Sequence, residues 1–185
     1  IEFRLREADS DLLVDYSGRE VVGLVINGRE LQADHKDGKI VLPKAELLKE
    51  KVNKVEIKFK NSYYKDGNGI HTFTDTQGGQ FLYAQTEPFY ANRIVPFFDQ
   101  PDLKAKFKLT VAAPRDWSVI TTGSELYSED WESFLRQTYG SYFYRAIRSN
   151  FPSLENSGDL LWREFGQTVP ISTYLFNVVT GPYKV

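Results

Sequence analysis

Several residue types are missing or scarce in this sequence. It has no cysteine and no methionine, and only two of its 185 residues are histidine. Without cysteine the chain can form no disulfide framework, no thiolate nucleophile and no cysteine-based zinc site. Without methionine there is no initiator residue, and Ile1, Glu2 and Phe3 have the pattern of a strand interior. We therefore expect the chain to be part of a longer one.

An excess of positive charge is also missing. The chain has 23 Lys and Arg residues against 25 Asp and Glu residues, which gives a formal net charge of -2. That balance removes the general electrostatic attraction on which non-specific binding to nucleic acids or anionic membranes depends. No stretch approaches the roughly 20 apolar residues of a transmembrane helix. We expect no nucleic-acid partner and no membrane segment in these residues.

Aromatic residues are abundant, and much of the sequence alternates as strands do. The 13 Phe, 11 Tyr and 3 Trp are enough to build a packed core without disulfides or metals. Charged and apolar residues alternate over Lys54–Lys60 and again over Lys104–Val111, which predicts two half-buried strands. The apolar run Val21–Ile26 leads into Asn27-Gly28, the strongest short hairpin signal. These patterns predict a mainly β, antiparallel, saddle-like sandwich in a single domain over 1–185.

The pattern changes after residue 120 and predicts an insertion at about 124–166. Ser128 is suited to a helix N-cap, two acidic residues follow it, and apolar residues then recur at helical spacing. We predict an amphipathic helix over 128–149 whose apolar stripe packs on the sheet edge or contacts another domain or subunit. A further helical turn is predicted over 159–165, and a strand over 172–179.

The residues that usually carry catalysis are mostly absent. His35 and His71 are far apart and lack the spacing that places two metal ligands on one helix face. We interpret His35 as an exposed turn residue and His71 as a hydrogen-bonded structural residue. No nucleophile elbow, phosphate loop or dinucleotide fingerprint is present. The sequence thus predicts no catalytic residue and no metal site within this chain.

One short segment has ligand-binding chemistry. In an extended strand Gln85 and Glu87 project on the same side, Thr86 points away, and Pro88 ends the strand. A neighbouring amide and carboxylate can hold a protonated amine, because the carboxylate supplies charge and the amide supplies direction. Polar residues at a strand end are more often simply solvated. The pattern alone therefore leaves both interpretations open.

Several motifs, in order, resemble the zinc aminopeptidases of the aminopeptidase N and leukotriene hydrolase family. They are Gly-Ile-His-Thr-Phe-Thr-Asp at 69–75, Tyr-Ala-Gln-Thr-Glu-Pro at 83–88, Ala-Asn-Arg at 91–93, Phe-Phe-Asp-Gln-Pro-Asp-Leu-Lys-Ala at 97–105, Ala-Pro-Arg-Asp-Trp at 113–117, Ser-Thr-Tyr-Leu-Phe at 172–176 and Gly-Pro-Tyr at 181–183. The resemblance covers the N-terminal β domain of that family. It implies a saddle-shaped domain that packs against the catalytic domain of the same chain and closes one side of the active-site cleft.

The resemblance also implies roles for Gln85 and Glu87. In the family, the Glu of a Gln-x-Glu motif contacts the free α-amino group of a peptide substrate, and the Gln lines the first side-chain pocket. The zinc motif His-Glu-x-x-His and the Gly-x-Met-Glu-Asn loop lie downstream of this domain and are absent from this sequence. The resemblance thus implies zinc in the parent enzyme, and peptide substrates as partners, for a fragment that is inactive alone.

Two other functions remain open at this stage. The chain could be a non-catalytic β scaffold or interaction domain in a paralogue that lacks the zinc site. It could also be a carbohydrate-binding β module, which would need an exposed row of aromatic side chains.

Among the remaining motif residues, Arg93 and Asp99 could pair, but the turn chemistry of Asp99-Gln100-Pro101-Asp102 favours a turn that fixes the fold. Tyr83 is suited to the core or to a pocket wall.

Overall fold

The computed structural model describes residues 1–130 and 160–184 of the chain. Within these ranges most of the regular structure is β-strand. The strands are β1 (Glu2–Arg4), β2 (Leu12–Asp15), β3 (Glu20–Ile26), β4 (Arg29–Leu31), β5 (His35–Lys36), β6 (Lys39–Leu42), β7 (Val52–Lys60), β8 (Gly69–Thr74), β9 (Gln80–Gln85), β10 (Thr110–Pro114), β11 (Ser118–Thr121), β12 (Glu125–Asp130), β13 (Leu160–Phe165) and β14 (Val178–Gly181). Short 3-10 helices cover Lys44–Glu46, Ala91–Arg93 and Thr173–Leu175. Among the described residues, no helix has the length and apolar character needed to cross a membrane.

The strands of the described residues form four sheets, and the prediction of a mainly antiparallel β fold is confirmed. The strand orders are β1-β7-β3-β4, β2-β6-β5, β10-β13-β12 and β11-β14-β9-β8. The strand pairs whose registers are defined are antiparallel. The described residues group into two compact units. Unit 1 comprises Ile1–Thr72, Ala84–Lys104 and Ser172–Phe176, and unit 2 comprises the described residues of Phe73–Tyr83, Ala105–Ile171 and Asn177–Val185.

Unit 1 has a buried core to which two of its sheets contribute. Strands β2 and β6 supply side chains from one sheet, and β3 and β7 supply side chains from the other. None of the eight buried residues of this cluster is more than 8 % exposed: Val14, Tyr16, Leu24, Ile26, Ile40, Leu42, Leu47 and Val55. Each large apolar side chain buried in this way contributes roughly 1.5–3 kcal/mol to folding. The alternation predicted over residues 54–60 is confirmed in β7.

The turn between β3 and β4 follows directly from the sequence. Asn27 has φ of 52° and Gly28 has φ of 85°, which are the positive values that a type I′ hairpin turn requires. The Asn27 side chain adds bonds beyond the hairpin, since its Nδ2 donates to the Glu46 carbonyl at 2.8 Å and its Oδ1 accepts from the Lys54 amide at 2.9 Å. The predicted Asn-Gly hairpin is thus confirmed.

Unit 2 is built around β13, the central strand of its three-stranded sheet. This strand pairs with β10 on one side and β12 on the other. Phe165 is 2 % exposed, and the buried Arg163 donates through Nη2 to the Trp117 carbonyl at 2.8 Å. On β8 and β9, the Phe73 and Phe81 rings stack with centroids 4.9 Å apart.

The helical structure predicted at both ends of the insertion is wrong, because both ends form β-strands. Ser128 and the two acidic residues after it belong to strand β12, and the turn predicted over 159–165 is strand β13 from Leu160 onward. The two strands pair antiparallel, with Ser128 opposite Arg163. Cross-strand pairing with a distant segment therefore overrides the local capping signal. The remainder of the helix predicted over 128–149 lies outside the described residues.

Two predicted strands are shorter than the sequence suggested. In the segment 104–111 the lysines are exposed and Phe107 is half-buried, but regular strand begins only at Thr110. There the Thr168 hydroxyl accepts from the Phe107 amide at 3.0 Å, in place of a regular ladder bond. In the segment 172–179, the 3-10 helix Thr173–Leu175 precedes β14, which begins at Val178.

Candidate functional site

Gln85 and Glu87 lie at the end of strand β9. Gln85 is the last residue of the strand, and Glu87 begins the turn that follows it. Both residues are exposed, whereas Thr86 between them is 5 % exposed. Within the described part of the chain, neither exposed side chain has a hydrogen-bond or ion-pair partner. The alternation predicted for this segment is confirmed, although the strand ends before Glu87 and not at Pro88.

Thr86 fixes the start of the turn. Its hydroxyl lies 2.6 Å from the Tyr174 carbonyl oxygen and 3.2 Å from the Phe176 carbonyl oxygen. Its own carbonyl accepts from the Tyr90 amide at 2.9 Å, which closes the turn that contains Glu87. Sequence reasoning missed this residue, because nothing in the local pattern distinguishes a buried threonine with a distant partner from a solvated one.

The end of the turn is fixed by Asn92, which lies in the 3-10 helix Ala91–Arg93. Asn92 is 3 % exposed, and its Nδ2 donates to the Phe89 carbonyl at 3.2 Å. Its backbone amide and its Nδ2 both donate to Oδ2 of Asp99, at 3.0 Å and 2.8 Å. The turn that contains Glu87 is therefore held at both ends by buried polar groups.

Asp99 is the centre of this buried network. It is 1 % exposed, and its Oδ1 accepts a hydrogen bond from the Thr173 hydroxyl. Its backbone amide donates to Oδ2 of Asp15 at 3.1 Å, and Asp15 is ion-paired with Lys39. Three bonds from Asn92 and Thr173 thus compensate the burial of the Asp99 carboxylate. The predicted fold-fixing role of the Asp99 block agrees with this network.

Arg93 pairs with Asp66, so the alternative pairing with Asp99 is wrong. The Arg93 Nη1 lies 2.8 Å from Asp66 Oδ2, and its guanidinium lies 4.2 Å from the Tyr64 ring centroid and 5.7 Å from that of Tyr90. The hydrogen bond from Arg93, with a smaller contribution from the Asn68 amide, lowers the pKa of Asp66. An open groove of about 510 Å³ lies here, and Tyr90, Arg93 and Asp66 are among its lining residues.

The histidines have structural contacts. His71 Nδ1 accepts from the Gly67 amide at 3.0 Å, which confirms its hydrogen-bonded role. His35 is half-buried in β5 with Nε2 2.9 Å from the Tyr16 carbonyl oxygen, so its interpretation as an exposed turn residue is wrong. Over 1–130 and 160–184, no group of three or more His, Asp or Glu side chains is arranged to hold a metal ion. Tyr83 is half-buried, with its ring centroid 6.4 Å from that of Phe73.

Comparison with known proteins identifies a family and several relatives. Residues 1–139 match the family described as the peptidase M1 N-terminal domain. The chain is 30 % identical over 179 residues to "Aminopeptidase N" of Streptomyces lividans, covering 94 % of this chain and 20 % of that protein. It is 26 % identical over 187 residues to "Probable aminopeptidase 1" of Sulfurisphaera tokodaii, covering 99 % of this chain and 19 % of the relative. It is 27 % identical over 190 residues to "Leucyl aminopeptidase" of Saccharolobus solfataricus, covering 96 % of this chain and 19 % of that protein.

These matches agree with the resemblance carried by the motifs between residues 69 and 183. The chain spans about a fifth of the length of the curated relatives it matches. The family match extends over three quarters of the 185 residues and includes the Gln85-Thr86-Glu87 segment and the Asp99 turn. The chain therefore belongs to the peptidase M1 N-terminal domain family.

Proposed function

We propose that this chain is the N-terminal domain of a zinc-dependent aminopeptidase, in which Glu87 binds the free α-amino group of a peptide substrate. Gln85, two residues earlier on the same surface, lines the pocket for the first side chain. The observation that supports the proposal most strongly is the exposure and the fixed backbone of Glu87. It is an exposed carboxylate, unpartnered within the described residues, on a turn whose two ends are fixed by buried hydrogen bonds.

The charge of Glu87 suits an N-terminal amine. An α-amino group with a pKa of about 7.7–8.0 is largely protonated at pH 7, so a fixed carboxylate favours chain ends over internal peptide bonds. A charge-assisted hydrogen bond of this kind is roughly twice as strong as one between neutral groups. Binding at Glu87 would therefore select for exopeptidase cleavage by holding the first peptide bond at a set distance from the chemistry.

Over 1–130 and 160–184, the residues do not fit a zinc site. The only two histidines make structural contacts, and the described carboxylates form no cluster with them. Under this proposal the zinc ion and the residues that act on water belong to a catalytic domain of the same parent chain. The 185 residues alone are then inactive, pack against that domain, and contribute substrate binding rather than a catalytic step.

Kinetics of Glu87 variants in the full-length protein test the proposal. Loss of one partner of a buried charge pair costs on the order of 2–5 kcal/mol, so Glu87→Ala should lower kcat/KM on an aminoacyl p-nitroanilide by at least about 30-fold. Glu87→Gln keeps the shape and removes the charge, and it should lose nearly as much. The matched control is Glu30→Gln, because Glu30 is also an exposed glutamate but lies on β4.

The outcomes separate the proposed functions. A large loss in both Glu87 variants, with Glu30→Gln unchanged, supports an N-terminus-binding role. Activity of the Glu87 variants within about twofold of the Glu30 control would contradict that role. A full-length protein without peptidase activity would contradict the proposed enzyme as a whole and support a scaffold or interaction domain instead.

A further inference from the structure

The buried threonine between Gln85 and Glu87 reaches a segment that lies almost ninety positions further along the chain. The 3-10 helix Thr173–Leu175 uses its first carbonyls internally, since the Leu175 amide donates to Ser172 and the Phe176 amide donates to Thr173. A helix end leaves its last carbonyls without intrahelical donors. The Thr86 hydroxyl lies 2.6 Å from one of these, the Tyr174 carbonyl, and thereby satisfies it.

The same helix is also tied to the far end of the turn that contains Glu87. The Thr173 hydroxyl donates to Asp99, and Asp99 accepts two bonds from Asn92. Asn92 in turn donates to the Phe89 carbonyl, two residues after Glu87. A closed ring of hydrogen bonds therefore runs from Thr86 through the 3-10 helix and back to the turn. Its members lie within unit 1.

This ring of hydrogen bonds fixes the backbone around Glu87, whose side chain has no such contact of its own within the described residues. The side chain is exposed and has no partner of its own within the described residues, so its carboxylate is located only by its backbone. A misplacement of about 1 Å in a positioning group can lower kcat/KM by up to about 100-fold. Among the side-chain hydrogen bonds of this ring, the one donated by the Thr86 hydroxyl is nearest to Glu87 in the sequence. Loss of that bond should therefore affect the position of Glu87 most directly.

We infer that Thr86 is a positioning residue, whose hydroxyl fixes the backbone on which Glu87 presents its carboxylate to the substrate amine. This inference rests on the function proposed above for Glu87. It adds that the buried residue between Gln85 and Glu87 acts on substrate affinity without touching the substrate. The role requires a hydroxyl donor and not merely a side chain of threonine's size.

Thr86→Val in the full-length protein tests the inference, because it keeps the shape and removes the donor. We expect KM for an aminoacyl p-nitroanilide to rise about 10-fold with little change in kcat. Thr86→Ser keeps the donor and should retain most of the parent affinity. Thr121→Val is the matched control, since the Thr121 hydroxyl also donates to a backbone carbonyl, that of Asn177 at 2.5 Å, but lies in unit 2. It should leave KM unchanged.

A double variant distinguishes positioning from a general loss of structure. If Thr86 acts through Glu87, then Thr86→Val should have little further effect on KM in a Glu87→Ala background. Equal effects of Thr86→Val in the two backgrounds, or a KM equal to the parent's, would overturn the inference. Where Thr86→Val fails to fold, Thr86→Ala is read in the same way, because it places no methyl group against the carbonyls.

The Glu87→Ala variant separates failure of this inference from failure of the proposed function. A large effect of Glu87→Ala together with no effect of Thr86→Val overturns only the positioning role. No effect of Glu87→Ala overturns the proposed function, and the positioning role falls with it.

Discussion

The buried carboxylate of Asp99 gives the strongest prediction for stability. Replacing Asp99 with alanine removes the acceptor of three hydrogen bonds, two from Asn92 and one from Thr173. Hydrogen bonds to charged groups contribute roughly 1.5–3 kcal/mol each, but the loss is partly offset because the buried charge no longer has to be desolvated. We therefore expect Asp99→Ala to lower the free energy of unfolding by about 3–5 kcal/mol.

Asp99→Asn is the informative comparison. Its amide oxygen can still accept from Asn92, and its NH₂ group can donate to the Thr173 hydroxyl, which is able to accept. The expected loss is therefore only about 1–2 kcal/mol. Urea unfolding of the 185-residue chain, followed by circular dichroism, measures both values through the change in midpoint at constant slope. An Asp99→Ala chain within about 0.5 kcal/mol of the parent would refute the reasoning that this network holds the fold.

Two further predictions concern Asp66 and Gly28. The hydrogen bond from Arg93 lowers the pKa of Asp66, so its stabilising effect is present above the carboxyl's unfolded pKa and is lost as the pH falls through the lower folded value. Arg93→Gln should move the Asp66 midpoint upward in an NMR titration, and an unmoved midpoint would contradict the assigned cause. Gly28 has φ of 85°, so Gly28→Val should lower the free energy of unfolding by about 1–2 kcal/mol. Gly23→Ala, inside strand β3 without a positive φ and with only ordinary contact to the Lys58 side chain, should not lower the free energy of unfolding, and equal losses in urea unfolding would contradict the backbone argument.

Local signals predicted much of the β fold. The Asn27-Gly28 pair specifies its turn through the backbone conformations of those two residues alone. The alternation over residues 54–60 specifies a strand because one face of it is buried in the core of unit 1. The residues that specify the turn, and those that specify the strand, are thus the same residues that form it.

The prediction failed where distant pairing decides the structure. Around Ser128, a hydroxyl followed by acids is typical of a helix start, yet these three residues pair with residues 161–163 in an antiparallel sheet. A short segment such as 160–165, with four apolar and two charged residues, does not by itself distinguish strand from helix. The single domain predicted over 1–185 stays a prediction.

The candidate site was only partly accessible from the sequence. The period of a strand predicted that Gln85 and Glu87 share an exposed surface. The residues that fix this surface, Thr86 and Thr173, were not identified, because their bonds join segments separated by 88 and 74 positions. Folding brings such partners together, and neither local composition nor periodicity records the pairing.

The most direct test of the central claim compares two inhibitors of the full-length protein. One is an amino-acid hydroxamate, and the other is the same hydroxamate without its α-amino group. The ratio of their inhibition constants measures how strongly the protein recognises the amine, and we expect at least about a 30-fold preference for the amino form. In Glu87→Gln this preference should fall to within a few-fold of unity, while the des-amino compound should bind the two proteins equally. A preference that Glu87→Gln leaves unchanged would contradict the claim that Glu87 binds the substrate's N-terminus.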